Sequence, residues 1–203
     1  MKQAMCIRAH RRRYRGLSLI ELILFIVIVS VSVVGVLAAL DRTARASAEP
    51  LVIKQALAIA EALLEEVELM PFTFCDPEDA QASTAQSATI GATGCAATIE
   101  AIGPEAGETR SGLSGAPPFD NVNDYHGYDS AADGGIKDIT GTVIAGLASY
   151  RAQVAVAPVA LSGIAATDGN GQANVLLITV TVTGPGNTTV VLNGYRTKYA
   201  PQI

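Results

Sequence analysis

The chain has 203 residues, enough for one domain with a core of its own plus an anchor segment. Apolar residues make up 49% of it, aromatic residues only 5%, and there is no Trp. The net charge of −5 hides an asymmetry, because residues 1–16 carry +6 and the remainder has 8 basic against 19 acidic side chains. A body of that charge is a poor candidate for nucleic-acid binding, since phosphate contacts need Lys and Arg.

A basic leader precedes an apolar run of membrane length. Leu22 to Leu40 is 19 residues without a charge, about 28 Å of helix at roughly 1.5 Å per residue. Basic residues beside such a run act as a cytoplasmic topogenic signal, so we expect the leader to stay in the cytoplasm and the body to cross the membrane. The leader's basic residues are Lys2, Arg8, Arg11, Arg12, Arg13 and Arg15.

A cleaved secretory signal peptide is the alternative interpretation of this segment. The stretch "GVLAALDRTA" offers small residues at Ala38 and Ala39 for such a cleavage. The apolar run is longer than that of an ordinary signal peptide, and the helical pattern continues through it. These features favour a retained anchor.

Glu21 lies at the threshold of the apolar run. An acid within a membrane segment costs roughly 2.5–3.5 kcal/mol on insertion scales, so it needs a partner or a role. Cleavage between Gly16 and Leu17 would create an amino group four residues before Glu21. We predict that this amine neutralises Glu21, in its own helix or in a neighbouring subunit, and that the pair sets the register of assembly.

The segment "RGLSLIEL" and the apolar run after it resemble the class III signal of type IV prepilins and type II secretion pseudopilins. The resemblance implies that a membrane aspartyl peptidase cuts after Gly16 and N-methylates Leu17. It also implies that the helix packs in a filament core and that Glu21 guides subunit entry. Leu17 departs from the usual Phe or Met, whereas Gly16 and Glu21 are the stricter positions.

The chain after Leu40 predicts an amphipathic helix that ends at Pro71, with Pro50 expected to kink or locally break it. Apolar and charged residues fall on different faces. Such an apolar stripe more often packs on the protein's own core than in a partner groove or coiled-coil seam. The apolar residues are Ile53, Ala56, Ala60, Leu63, Val67 and Met70, and the charged ones are Lys54, Glu61, Glu65 and Glu68.

Cys6 would be lost with the leader, which leaves Cys75 and Cys95 in a segment predicted to face an oxidising compartment. A disulfide between them would close a polar loop that has little core of its own, and would contribute about 3 kcal/mol. A metal site, for which no His is near, and free buried thiols are the alternatives.

Two further segments carry a narrower resemblance. "MPFTFCDP" (70–77) and "PPFDNVNDYHGY" (117–128) resemble segments of the minor pilin D proteins of MSHA-type (mannose-sensitive haemagglutinin) pilus systems. The resemblance implies a low-abundance subunit that primes or caps a pilus used in cell adhesion, without a cofactor. The implied partners are prepilin peptidase, other major and minor pilins, the inner-membrane assembly platform and, before assembly, membrane lipid.

The same resemblance implies a location and a domain layout. The protein would be a single-pass inner-membrane protein with a cytoplasmic N terminus and a periplasmic head, later part of a pilus on a Gram-negative-type bacterium. The implied divisions are a cleaved leader (1–16), a transmembrane and filament-core helix (17–40), the amphipathic half of that helix (41–70) and the globular head (71–203).

The stretch from Gly103 to Gly146 is rich in Gly, Pro, Asp, Asn and Ser and is expected to wrap the sheet. Within it, Asp120, Asp124 and Asp129 are candidate calcium ligands. Their spacing does not match an EF-hand loop, and Asp and Asn also dominate turns for local reasons. The sequence therefore assigns no metal site.

The C-terminal third predicts three strands, in "SYRAQVAVAPV", "ANVLLITVTVTG" and "NTTVVLNGYRTKY", with a turn at "GPGN". The middle strand takes its apolar content from Val175, Ile178, Val180 and Val182. A short strand in "AATIEAI" would make four. The predicted fold class is α+β: a type IV pilin-like fold with a long N-terminal helix packed on an antiparallel sheet of about four strands.

Three other functions compete with that of a minor pilin: an enzyme, a type II secretion pseudopilin and a pilus-tip binding module. His126 is the one His outside the leader, and no nucleophile, base and partner can be assembled around it, so we predict that the protein is not an enzyme. A type II secretion minor pseudopilin is the first alternative to a minor pilin, because it uses the same signal. A pilus-tip adhesin-like binding module is the second.

Overall fold

The computed structural model describes residue 16 and residues 18–198. Within them a long helix, α1 (Leu19–Leu69), is followed by an irregular segment and then by three strands, β1 (Arg151–Pro158), β2 (Val175–Gly184) and β3 (Thr188–Thr197). The α+β class predicted from the sequence is therefore confirmed. The chain divides into two compact units, with the boundary between Ser47 and Ala48.

Pro50 does not break α1, which is continuous from Leu19 to Leu69. A proline inside a helix removes one backbone hydrogen bond, because it has no N–H to donate to the carbonyl four residues earlier. The remaining bonds of the helix are sufficient to carry it through this position. The local break expected at Pro50 is wrong.

The second half of α1 buries the predicted apolar stripe, with one correction. Ala56, Ala60, Leu63 and Val67 are all buried, but Ile53 is 45% exposed. Val52 packs against the core instead. It lies four residues before Ala56 and so continues the buried row, whereas the neighbouring position projects from another face.

The charged residues of this half lie mainly outside the core, as the pattern predicted. Lys54, Glu61 and Glu65 are exposed, and Glu68 is half-buried.

Within residues 18–198 the three strands form one antiparallel sheet in the order β1-β2-β3. Val154 of β1 lies opposite Val180 of β2, which lies opposite Leu192 of β3. The alternation of the strands places one apolar face against the second half of α1. Its buried side chains are Ala152, Val154, Val156, Leu176, Ile178, Val180 and Val182.

Two positions in and next to β3 require particular residues: Asn187 in the turn before it and Gly194 beneath α1. The "GPGN" turn joins β2 to β3 and places Asn187 at a φ of 60°, a conformation that Asn tolerates better than most residues. Gly194 of β3 lies directly under α1, since a Cβ there would come within 2.9 Å of the Leu64 side chain. A glycine at this position lets helix and sheet approach closely.

In the part of the chain that the structure describes, the fourth strand predicted in "AATIEAI" does not form. Ile99 makes only a single bridge, to Cys75. The backbone N–H groups of residues 96–98 donate instead to the Asp79 carboxylate, at 2.7–2.9 Å. These bonds, with that from Thr98 foremost, hold the pKa of Asp79 well below its usual range. A side chain has taken the donors that strand pairing requires.

The irregular segment before β1 wraps the sheet, as expected, and covers the outer edge of β1. The N–H of Gly127 donates to the Val154 carbonyl at 3.0 Å, and the N–H of Val154 donates to the Tyr128 carbonyl at 3.0 Å. Two residues further on, the Ser130 N–H donates to the Ala152 carbonyl at 2.9 Å. This edge is therefore paired without a regular strand.

A buried ion pair ties α1 to the same irregular segment. Arg110 donates to both carboxylate oxygens of Glu66, at 2.7 and 2.5 Å, and the Tyr125 hydroxyl donates to Glu66 at 2.8 Å. The side chains of Arg110 and Glu66 are only 8% and 13% exposed. Arg110 has two further contacts: it donates to the Lys137 carbonyl at 3.1 Å, and its guanidinium lies over the Tyr128 ring.

Candidate functional site

The predicted processing site lies at the start of the described chain. Gly16 is exposed, and no heavy atom of the described residues lies within 4 Å of the place a Cβ would occupy. Leu17, the predicted N-methylation position, lies outside the described residues. Glu21 is in the first turn of α1 and is exposed. Its pairing with a new amine at Leu17 stays a prediction.

Within residues 18–198, one helical stretch is long and apolar enough to cross a membrane. It runs from Leu19 to Arg42, 24 residues that contain an 18-residue window with a mean hydropathy of 3.0, and none of that window is buried. Its two serines are internally satisfied: the hydroxyls of Ser30 and Ser32 donate to the carbonyls four residues earlier, at 2.7 Å. Such bonds allow a hydroxyl to lie in an apolar environment at low cost.

The predicted disulfide between Cys75 and Cys95 is present, with the two Cα atoms 5.4 Å apart. Both cysteines are fully buried. Ala82 and Ala85 pack against the bridge, so the loop has a small core of its own. The metal-site and free-thiol alternatives for this pair are therefore excluded.

Replacing both cysteines by Ser should lower the free energy of unfolding by about 3 kcal/mol, because the bridge closes a loop of 20 residues. We would measure thermal unfolding of the Cys75→Ser/Cys95→Ser variant in detergent. The reduced wild-type chain is the control and should unfold at the same temperature as the variant. Identical midpoints for the oxidised wild type and the variant would contradict the prediction.

The two segments that carry the narrower resemblance lie against one another. The Val122 N–H donates to the Pro71 carbonyl at 3.0 Å, and the Asn121 side-chain amide donates to the Thr73 hydroxyl at 2.8 Å. Asn121 is fully buried. The segments form one structural unit at the end of α1, although about 40 residues separate them in sequence.

The three candidate calcium ligands do not come together. Asp129 forms an ion pair with Arg151 and accepts the backbone N–H of Ala131. Asp120 and Asp124 do lie together, since Asp124 Oδ2 accepts the backbone N–H of Asp120 at 3.0 Å. The structure therefore separates Asp129 from the other two.

Asp120 and Asp124 belong to a larger group of carboxylates, here called the acidic cluster: Glu100, Glu105, Glu108, Asp120 and Asp124. One carboxylate oxygen each from Glu100, Glu105 and Asp124 lie within 4.8 Å of one another. The same holds for Glu108, Asp120 and Asp124. Asp124 is common to both sets and is fully buried.

Burial, together with repulsion between neighbouring carboxylates, raises pKa values within the acidic cluster. Burial raises the pKa of Glu100 to about 10, and the negative charges of Asp124 and Glu105 add to the shift. Burial likewise raises the pKa of Glu108 to about 7 and those of Asp120 and Asp124 to about 6. With no cation bound, these shifts favour the protonated form of Glu100 at neutral pH.

Sequence reasoning missed Glu100, Glu105 and Glu108. Glu100 stands in a stretch that alternates like a strand, and the other two lie among turn residues. The one signal in the sequence for these residues was the high density of acids on both sides of residue 110. That density indicates a shared site only when the folded chain is known to bring the two sides together. His126, by contrast, has a structural contact: its Nδ1 accepts the Val156 N–H at 3.2 Å.

No family model matches the chain, and neither a curated protein nor a solved structure is similar to it.

Proposed function

We propose that this protein is a minor pilin, a low-abundance subunit that is anchored in the inner membrane and assembled into an MSHA-type type IV pilus. The observation that carries the proposal is α1 itself. One continuous helix (Leu19–Leu69) joins an exposed, membrane-length apolar stretch to a half that packs on an antiparallel sheet. An exposed apolar stretch of this kind requires lipid or other apolar helices around it.

The sequence next to that helix supports processing and assembly. Gly16 and Leu17 form the proposed cleavage point, and Glu21 lies in the first turn of the helix that would be freed. A carboxylate buried among filament helices needs a positive partner, and a new amine is the nearest group that could supply it. Prepilin peptidase is therefore the first partner, and other pilins and the assembly platform follow.

The MSHA-type assignment rests on the 70–77 and 117–128 segments. Their mutual contact is one reason to treat them as a single feature rather than as two chance similarities. A type II secretion pseudopilin would share the signal and the helix, so these two segments are what favours the pilus.

Replacing Glu21 by Ala should leave cleavage intact and reduce incorporation into filaments, because the new amine loses its partner. We would compare processed mass in membrane extracts with the amount of subunit in sheared pili. Glu65→Ala is the matched control, since Glu65 is an exposed acid further along the same helix and should have no effect. Incorporation of Glu21→Ala at the control level would disprove the pairing.

A further inference from the structure

Glu100 is a buried carboxylate without a partner. It is 7% exposed, and neither of its oxygens accepts a hydrogen bond from any residue that the structure describes. Buried polar groups are nearly always hydrogen-bonded, and a buried carboxylate without a partner costs several kcal/mol. The charges that act on it most strongly are those of other acids, Asp124 and Glu105 first. A proton can neutralise such a group, and a bound cation can do so as well.

Asp124, a neighbour of Glu100 in the acidic cluster, also has a buried oxygen without a partner in the described part of the chain. Its Oδ2 is fixed by the backbone N–H groups of Asp120 at 3.0 Å and Asn121 at 2.7 Å. Its Oδ1 is buried and has no hydrogen-bond partner among the described residues. The carboxylate is thus held in one orientation by one oxygen while the other remains available.

The spacing of these oxygens suits a single ion. Calcium binds oxygen at about 2.3–2.6 Å, so two of its ligands lie at most about 5 Å apart. The oxygens of Glu100, Glu105 and Asp124 satisfy that limit pairwise. A cavity of about 110 Å³ adjoins Glu100 and is also lined by Lys198 and by Asn123, whose side-chain oxygen is buried and unpartnered within residues 18–198.

We propose that Glu100, Glu105 and Asp124 form a calcium-binding site. All three ligands are hard carboxylate oxygens, and they come from irregular segments, which suits the variable geometry of calcium better than the strict octahedron of magnesium. Zinc is disfavoured, because its preferred nitrogen and sulfur ligands are not part of the cluster. Glu108 and Asp120 share Asp124 with this site and add negative charge beside it.

Bound calcium would join three parts of the head. Glu100 follows the disulfide loop, and its N–H donates to the Phe74 carbonyl just beyond α1. Glu105 belongs to the next loop, which is linked to the third part by the Gly103 N–H donating to the Asn123 carbonyl at 3.1 Å. The ion would therefore stabilise the region after α1. The proposal does not depend on assembly into a filament.

The test uses the purified full chain in detergent after treatment with chelator. We would titrate CaCl2 calorimetrically and measure thermal unfolding with and without CaCl2 at about 5 mM, enough to occupy a site of the weaker, extracellular class. The expected results are saturable heat at one site per chain and a rise of several degrees in the midpoint. MgCl2 should give a much smaller rise. An absence of heat and of any shift would overturn the proposal, and an equal response to MgCl2 would overturn the choice of metal.

Two variants distinguish a ligand from a residue that merely supports the fold. Glu100→Gln and Glu105→Gln should each weaken calcium binding by at least about tenfold, because ligand charge sets affinity. Glu100→Gln should also unfold at a higher temperature than the wild type in chelator, since it removes a buried carboxylate that lacks a partner. Asp129→Asn is the control, and its calcium response should be that of the wild type. Wild-type affinity in Glu100→Gln would overturn the proposal.

Discussion

Replacing Glu66 by Ala should destabilise the head by about 3–5 kcal/mol, the usual cost of leaving a buried charge without its partner. Arg110 would lose two hydrogen bonds and its counter-ion, and the Tyr125 hydroxyl would lose its acceptor. Burial and the Glu66 charge already raise the pKa of Tyr125, so its hydroxyl remains a donor and must find another acceptor. We would measure thermal unfolding of the full chain in detergent, where a loss of this size lowers the midpoint by roughly 10 °C.

The control variant changes another acid on α1, and a second variant replaces both members of the ion pair. Glu61→Ala removes an exposed acid five residues earlier and should change stability by less than about 0.5 kcal/mol. Glu66→Leu combined with Arg110→Met should restore most of the lost stability, because the site then holds no unpaired charge. A Glu66→Ala midpoint equal to that of Glu61→Ala would show that the ion pair does not hold the irregular segment to α1.

The parts of the fold that follow from periodicity could be predicted from the sequence. The row containing Ala56, Ala60, Leu63 and Val67 is visible as a helical stripe, and all four residues are buried. The three strands alternate, and each forms where its pattern predicts. The same reasoning failed at Ile53, which is apolar but lies one position outside the buried row.

The parts that depend on side chains taking backbone donors could not be predicted. "AATIEAI" alternates as a strand should, yet the Asp79 carboxylate, some 17 residues earlier, takes its N–H groups. Nothing in local propensity reveals a contact of this kind. The acidic cluster could not be predicted for a related reason. Its members are spread from residue 100 to residue 124, and only folding brings them together.

Asp129 is the opposite case, a residue that the sequence predicts as a ligand but that the structure places in an ion pair. It stands in the same acid-rich stretch as Asp120 and Asp124, and spacing alone gives no reason to separate it from them. The structure pairs it with Arg151 at the beginning of β1. Charge density in a sequence therefore indicates that a site is possible, but the partner of each carboxylate decides which residues remain available for a ligand.

Replacing Gly16 by Val should abolish processing, the largest effect that we expect on function. In the proposed mechanism the peptidase must reach the bond between Gly16 and Leu17, and a branched side chain next to that bond would crowd its active site. The substitution causes no steric clash with the described residues, because none of their heavy atoms lies within 4 Å of a Cβ at Gly16. A loss of cleavage would therefore report recognition by the peptidase and not a misfolded head.

The measurement is the intact mass of the membrane-extracted protein from a host that has its own prepilin peptidase. The wild type should begin at Leu17 and carry one methyl group, whereas Gly16→Val should retain residues 1–16. Gly35→Ala is the matched control, since Gly35 also has open space around it but lies far from the cleavage point, and it should be processed normally. A wild-type chain that keeps its leader in this host would make the protein an uncleaved membrane anchor, because neither the amine that pairs with Glu21 nor the filament built on that pair could then form.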